Sequence, residues 1–160
     1  MKVSITTNKK MAVANVQFYN TNIKIFVREE PHYAKDPTTG ENTTSRVLAK
    51  KLSVGFTTPE GLDVPARPFM KQFRAEKKEQ IIQILKKAKS LGFKGMTAKQ
   101  QYEWAAGQIK DLLIEFIYTG QVTPENTAYT LSQKASTSPL FDTGQLLYAL
   151  DTEVTRVAAK

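Results

Sequence analysis

The spacing of apolar residues changes along this chain, and the change limits the folds that the chain can adopt. In residues 12–18 and 23–27, apolar and polar residues alternate, which predicts two β-strands because successive side chains of a strand point to opposite faces. The polar residues 19–22 lie between them and favour a hairpin turn. Residues 46–57 carry branched and aromatic side chains and are predicted to form a further strand.

Beyond residue 67 the apolar residues recur every three or four positions, which is typical of helices. The first helix is predicted over residues 68–91, where it meets a glycine. The second is predicted to begin after Thr97, whose hydroxyl can cap the helix in a capping box with Gln100. Gly120 is predicted to end this second helix.

The C-terminal part of the chain is predicted to contain a short helix, a loop and a strand. Thr123 and Pro124 suit the first positions of a helix that would run to about residue 133. A loop over residues 135–142, a short turn from Asp142 and a strand over residues 149–158 follow. The order of strands, helices and a final strand predicts an α+β fold. We expect an antiparallel sheet with two long helices and one or two short helices packed on one face.

Length and composition predict one domain over residues 1–160. The chain is 41% hydrophobic and 24% charged, as in ordinary soluble domains. It has no cysteine, so it can form neither a disulfide nor a thiolate metal site. No segment is long and apolar enough to predict a signal peptide or a membrane span. The lack of cysteine fits synthesis in a cytosol, and we expect no membrane partner.

A polar segment at about residues 29–45 contains two prolines and a glycine. It is long for a plain connection, which indicates a functional or disordered loop. We expect this loop to be poorly ordered in an isolated subunit and to become ordered when partners join.

Positive charge is concentrated in the middle of the chain. The net charge is +8, and residues 71–94 contain eight basic and two acidic residues, which leaves a local charge of +6. Lys71, Lys78 and Lys89 are predicted to share one side of the first helix. They are candidate contacts to an anionic partner, either DNA or an acidic protein face. The alternative interpretation is a solvated helix face.

The titratable residues predict no catalytic, cofactor or metal site. His32 is the only histidine and lies in the polar segment, whereas a zinc site needs several converging ligands. Asp111 and Glu115 are neighbours on one predicted helix, and two acids there do not form the carboxylate cluster of a metal-dependent nuclease. We therefore predict that the chain is not an enzyme.

Two short segments about seventy residues apart carry the strongest pattern. The first is Val64-Pro65-Ala66-Arg67-Pro68-Phe69, and the second is Ser138-Pro139-Leu140-Phe141-Asp142-Thr143-Gly144. The prolines restrict the backbone, and Phe69 is predicted to anchor the following helix on the core. Asp142 is predicted to be an N-cap, with Gln145 completing a capping box, or else an interface partner.

Arg67 is a candidate functional residue because it lies between two prolines that restrict its backbone. A planar guanidinium held in this way suits a bidentate contact to a carboxylate. That carboxylate could belong to a partner subunit, or to the same chain as an internal salt bridge.

The two segments resemble those of a family of tailed-bacteriophage proteins, the tail-completion or head–tail joining proteins of the neck. There a Pro-Ala-Arg-Pro-Phe stretch precedes a long helix, and a Pro-Leu-x-Asp-Thr-Gly stretch lies near the C-terminus. Thr130 and Lys134 sit in places similar to a threonine and lysine pair of the family. The resemblance covers roughly residues 45 to 157. It departs at Val54-Gly55-Phe56-Thr57, where the family often has an acidic-aromatic-glycine turn.

The resemblance implies a non-enzymatic virion protein in the neck of a phage. Such a protein would form a ring of identical subunits around the DNA path and contact head-connector and tail proteins. The implied interface or structural residues are Pro65, Arg67, Pro68, Phe69, Pro139, Leu140, Asp142, Thr143 and Gly144. One alternative is a tail terminator or minor tail protein, and a further one is a small basic DNA-binding protein.

Overall fold

A computed structural model of the protein describes residues 4–7, 13–18, 21–127, 132, 137–140 and 144–156. Its main sheet is antiparallel and has the strand order β1-β2-β3-β8. These strands are β1 (Ser4–Thr7), β2 (Val13–Phe18), β3 (Thr21–Val27) and β8 (Leu150–Arg156). The predicted strands at residues 12–18, 23–27 and 149–158 are therefore confirmed. Strand β1 was not predicted, because four residues are too few to show a period.

Strand β3 shows why the sheet has one covered face. Ile23, Ile25 and Val27 are buried, whereas the alternating Lys24 and Phe26 are only half-buried. The register places Leu150 opposite Val27 and Val154 opposite Ile23, which extends the buried row onto β8. This alternation is that of an antiparallel sheet with its core on one face.

The helices supply the other half of the core. They are α1 (Ser45–Val54), α2 (Phe69–Glu76), α3 (Lys78–Leu91), α4 (Ala98–Tyr118) and the one-turn α5 (Gln145–Tyr148). Helix α4 packs on β3 and β8, and α3 packs on α4. Phe73 of α2 meets Phe116 of α4 edge-on, with ring centroids 5.8 Å apart. The predicted α+β fold with helices on one face is confirmed.

Helix α4 follows its sequence prediction closely. Thr97 is its N-cap, and the reciprocal hydrogen bonds with Gln100 form a capping box. Gly120 follows the helix in a left-handed conformation, with φ of 73°. None of the helices in the described ranges is both long enough and apolar enough to cross a membrane.

The prediction of one continuous helix over residues 68–91 was wrong. The backbone leaves helical geometry at Lys77, with φ of −99° and ψ of 12°, and divides the segment into α2 and α3. The apolar pattern continues across the break, so periodicity alone did not reveal it. As a consequence, Lys71 lies on a different helix from Lys78 and Lys89.

The strand predicted over residues 46–57 was also wrong, because most of it is α1. The Thr44 hydroxyl accepts a hydrogen bond from the backbone N–H of Val47 and caps this helix. Ala49 is buried and Leu52 is half-buried, so the inner face repeats every three or four residues. Only the end of the segment is extended, as β6 (Phe56–Thr57), which pairs with β7 (Asp63–Val64).

The predicted loop at residues 29–45 is largely a hairpin. It contains β4 (Pro31–Lys35) and β5 (Asn42–Thr44), which pair in antiparallel fashion, and Ser45 already belongs to α1. The Asp36 carboxylate accepts hydrogen bonds from Thr38 and Thr39 at the hairpin turn and pairs with Lys51 of α1. The polar side chains that favoured a loop therefore hold the turn.

The helix predicted from Thr123 does not form at its proposed start. Residues 121–127 are neither helix nor strand, while the remainder of the predicted helix lies almost wholly outside the described residues.

Candidate functional site

The first proline segment is fixed to the end of α1. The backbone N–H of Arg67 donates to the carbonyl of Leu52 at 2.8 Å. Gly55 has a φ of 77°, and a Cβ added to it would lie 2.8 Å from the backbone nitrogen of Ala66. Only glycine suits a position that combines a left-handed backbone with so close an approach. Gly55 lies in the segment where the sequence departs from the pattern of the phage family, and this close approach gives it a clear local role.

The Arg67 side chain points inward and is only 5% exposed. Its Nε donates to the carbonyl oxygen of Pro124 at 2.8 Å, and its Nη2 donates to that of Glu125 at 3.0 Å. Burial lowers the pKa of this guanidinium from its ordinary value. Among the described residues no carboxylate pairs with Arg67. The fork binds two backbone carbonyls instead.

Gln72, one turn into α2, makes a second connection to the same segment. Its Nε2 donates to the carbonyl of Thr123 at 2.6 Å, and its Oε1 accepts from the backbone N–H of Thr123 at 2.9 Å. We call residues 121–126 the bridging segment. Together Arg67 and Gln72 bind three consecutive residues of it.

The start of the second proline segment is held close to the same region. Asn126 of the bridging segment donates from Nδ2 to the carbonyl of Thr137, the residue directly before the proline segment, at 2.9 Å. The hydroxyl of Ser138, the first residue of the proline segment, donates to the carbonyl of Tyr118 at 2.8 Å, at the end of α4. The first proline segment is therefore tied to the bridging segment, and the start of the second is tied to the end of α4. We call this arrangement the junction.

The predicted residues of the first segment serve mainly to hold the fold. Pro68 is the N-cap of α2, one position before the predicted first turn, and Pro65 is half-buried. Phe69 is fully buried in the core, as predicted.

The predicted residues of the second segment are described only in part. Pro139 is buried, and Leu140 packs against the core with a positive φ of 62°. Gly144, with φ of 79°, is the N-cap of α5. Asp142, Thr143, Thr130 and Lys134 lie outside the described residues.

The three predicted contact lysines are exposed but do not form one helix face. Lys78 and Lys89 lie on α3, whereas Lys71 lies on α2, beyond the break at Lys77. The sequence analysis also missed Gln72 and Asn126, and it named Ser138 only as the first residue of the second proline segment. Their partners are 51, 11 and 20 residues away, and no local pattern marks such pairs.

The junction contains hydrogen bonds to backbone groups rather than a reactive constellation. In the part of the chain that the structure describes, no three histidine or carboxylate side chains are grouped to hold a metal ion. Comparison with protein-family models, with curated proteins and with solved structures gives no match.

Proposed function

We propose that this chain is a structural virion protein of a tailed-phage neck, a tail-completion or head–tail connector component. In this proposal its copies form a ring that joins the head connector to the tail. The protein would be made in the host cytoplasm and would act in the virion, without a cofactor and without catalysis.

The observation that carries the proposal is the junction. The two segments that resemble the neck family are distant in sequence, yet the first is bound to the bridging segment and the second begins at Ser138, which is bound to the adjacent end of α4. Backbone carbonyls fix the position of a segment without depending on its side chains. The junction therefore provides a firm base from which exposed side chains can meet a neighbouring subunit.

The exposed part of the junction has the character of a contact surface. Thr123, Pro124 and Glu125 are exposed although their backbone is held, and Tyr118 is 59% exposed at the end of α4. Pre-ordered surface residues lose little conformational entropy on association. A head-to-tail contact of this kind closes into a ring when the rotation between subunits closes.

The decisive experiment locates the polypeptide in the particle of the phage that encodes it. We expect mass spectrometry of purified virions to detect the chain and cryo-electron microscopy to place a ring of it at the neck. Depletion of the protein should leave filled heads and finished tails that fail to join. Intact particles that lack the polypeptide would refute the proposal.

A substitution at the junction tests the surface itself. Glu125→Arg should reduce joining in a complementation assay while leaving the unfolding midpoint of the protein unchanged, because the side chain is exposed. Glu60→Arg is the matched control, an equal charge reversal in the turn between β6 and β7. Equal effects of both variants would show that net charge, rather than the junction, matters. A tail terminator would instead be found at the end of the tail tube.

A further inference from the structure

The hairpin of helices α3 and α4 ends in an exposed tip. The last buried residue of α3 is Ala88 and the first of α4 is Ala105. Between them every residue from Gly92 to Gln100 is exposed. We call residues 92–97 the tip. It lies beyond the core that the two helices share.

The tip is a built turn with its own hydrogen bonds. The N–H of Gly95 donates to the carbonyl of Gly92 at 3.1 Å, and Gly95 has a φ of 87°. Gln101 donates from Nε2 to the carbonyl of Met96 at 2.9 Å, and Thr97 caps α4. This backbone holds Phe93 outward, and its side chain is 91% exposed. The ring is therefore accessible to a binding partner.

The chain on both sides of the tip is rich in lysine. Residues 80–102 contain no acid and five lysines, namely Lys86, Lys87, Lys89, Lys94 and Lys99. Lys99 pairs with Glu103 at 3.6 Å, and Lys87 lies over the Trp104 ring at 5.5 Å from its centroid. The lysines lie on both helices and on the tip itself.

We propose that this tip binds nucleic acid, with the lysines neutralising phosphates and Phe93 stacking on an accessible base. Aromatic stacking between cations is how proteins bind single strands without sequence preference. In a duplex the same ring could act as an apolar wedge between base pairs. This inference is independent of the proposed ring, because either one can be wrong while the other is right.

The ratio of charge to apolar surface at the tip favours nucleic acid over an acidic protein or an anionic membrane. A stable protein interface buries about 800 Å² on each side, and a membrane-bound helix needs an extended apolar face. The tip offers one phenylalanine and Met96, which is 37% exposed. One ring among several cations is enough for stacking on a base, but it is too little apolar surface for either alternative.

Fluorescence anisotropy with a labelled 20-nucleotide single strand and with its duplex tests the inference. We expect the association constant to fall as salt rises, because bound cations are released from phosphates. The double variant Lys86→Gln with Lys94→Gln should make the single-strand salt slope shallower by about 1.4, at about 0.7 for each lost contact. Phe93→Ala should weaken single-strand binding roughly tenfold without changing the slope.

Two matched controls test whether binding depends on the tip itself, rather than on net charge or on any exposed aromatic side chain. Lys71→Gln with Lys78→Gln removes the same charge from exposed positions outside the tip and should leave the salt slope nearly unchanged. Tyr148→Ala removes another aromatic side chain, 79% exposed, and should leave affinity unchanged. All these positions are exposed, so each variant should keep the circular dichroism spectrum and unfolding midpoint of the parent.

Three results would overturn the inference. The first is absence of binding at low salt. The second is an equal reduction of the salt slope in the two double lysine variants. The third is a Phe93→Ala variant that binds as tightly as the parent. Tighter binding to polyglutamate or to vesicles containing phosphatidylserine than to either oligonucleotide would assign the tip to an acidic protein or a membrane instead.

Discussion

The guanidinium of Arg67 lies 3.0 Å from the carbonyl oxygen of Glu125, although 58 residues separate them in sequence. The interaction joins the start of α2 to the segment that leaves α4. Because the side chain is buried, its charge depends on these carbonyl oxygens for solvation that water would otherwise provide. Arg67 therefore links two distant parts of the chain rather than presenting a cation to solvent.

Removal of this side chain should destabilise the protein. Hydrogen bonds that involve a charged group contribute about 1.5–3 kcal/mol each, and water can reach the freed carbonyls in part. We expect Arg67→Ala to lower the free energy of unfolding by roughly 2–4 kcal/mol, measured by urea denaturation. Arg67→Lys should be intermediate, because an ammonium group lacks the planar fork. Lys71→Ala, at an exposed position nearby, should change stability by at most about 0.5 kcal/mol.

A pair of glycine variants separates backbone strain from close packing. Gly55 and Gly40 have similar φ angles of 77° and 72°, but an added Cβ has nothing within 4 Å at Gly40. We expect Gly40→Ala to cost about 1 kcal/mol for the left-handed backbone alone. Gly55→Ala should cost at least about 1 kcal/mol more, since its Cβ would meet the backbone at Ala66. Thermal unfolding of both variants measures the difference, and equal losses would contradict the close approach.

Acid should weaken the contact between the β4–β5 hairpin and α1. Lys51 and then the Thr38 side chain hold the pKa of the Asp36 carboxyl well below its usual range. Since the folded pKa is the lower one, the stabilisation is complete above the unfolded value of about 4. It is lost as the pH falls from there toward the folded value. Asp36→Asn and Lys51→Ala should both reduce the loss of stability in this acidic range, as followed by urea denaturation at several pH values.

Hydrogen exchange distinguishes the hairpin from the loop that the sequence predicts. The N–H of Asp36 donates to Glu41 and that of Ser45 donates to Glu30, at 2.7 and 2.8 Å. Gln145 also donates to the carbonyl of Pro31. We therefore expect the Asp36 and Ser45 amides to exchange slowly in the isolated subunit. Rapid exchange at both amides would instead support a loop that becomes ordered only on assembly.

The sequence predicted secondary structure correctly where the residues of a segment favoured only one type of element. Alternation at residues 23–27 and the capping box at Thr97 both correspond to observed structure. In residues 46–57, branched residues favoured a strand, but the Thr44 cap and the burial of Ala49 produce a helix. At Lys77 the apolar period continues in the sequence, although the backbone leaves helical geometry there. Tertiary packing overrides propensity in short segments, because a few buried contacts outweigh differences below 1 kcal/mol per residue.

For the candidate site, the sequence indicated the two proline segments and the importance of Arg67, but not the partner of that residue. A guanidinium can bind either a carboxylate or two carbonyls, and only the folded chain places Pro124 and Glu125 within reach. Gln72, Asn126 and Ser138 give no local signal, because their partners are backbone groups of unremarkable residues.

By itself, the sequence determined the α+β class, the limits of α4, the absence of thiol chemistry and the concentration of positive charge. These properties follow from composition and from periods of two or 3.6, which depend on near neighbours in the chain. The tertiary structure alone decided that Arg67 binds the bridging segment, that Ser138 binds the end of α4 and that Phe93 is exposed. Such relationships depend on which distant groups packing brings together, and chain order does not encode those distances directly.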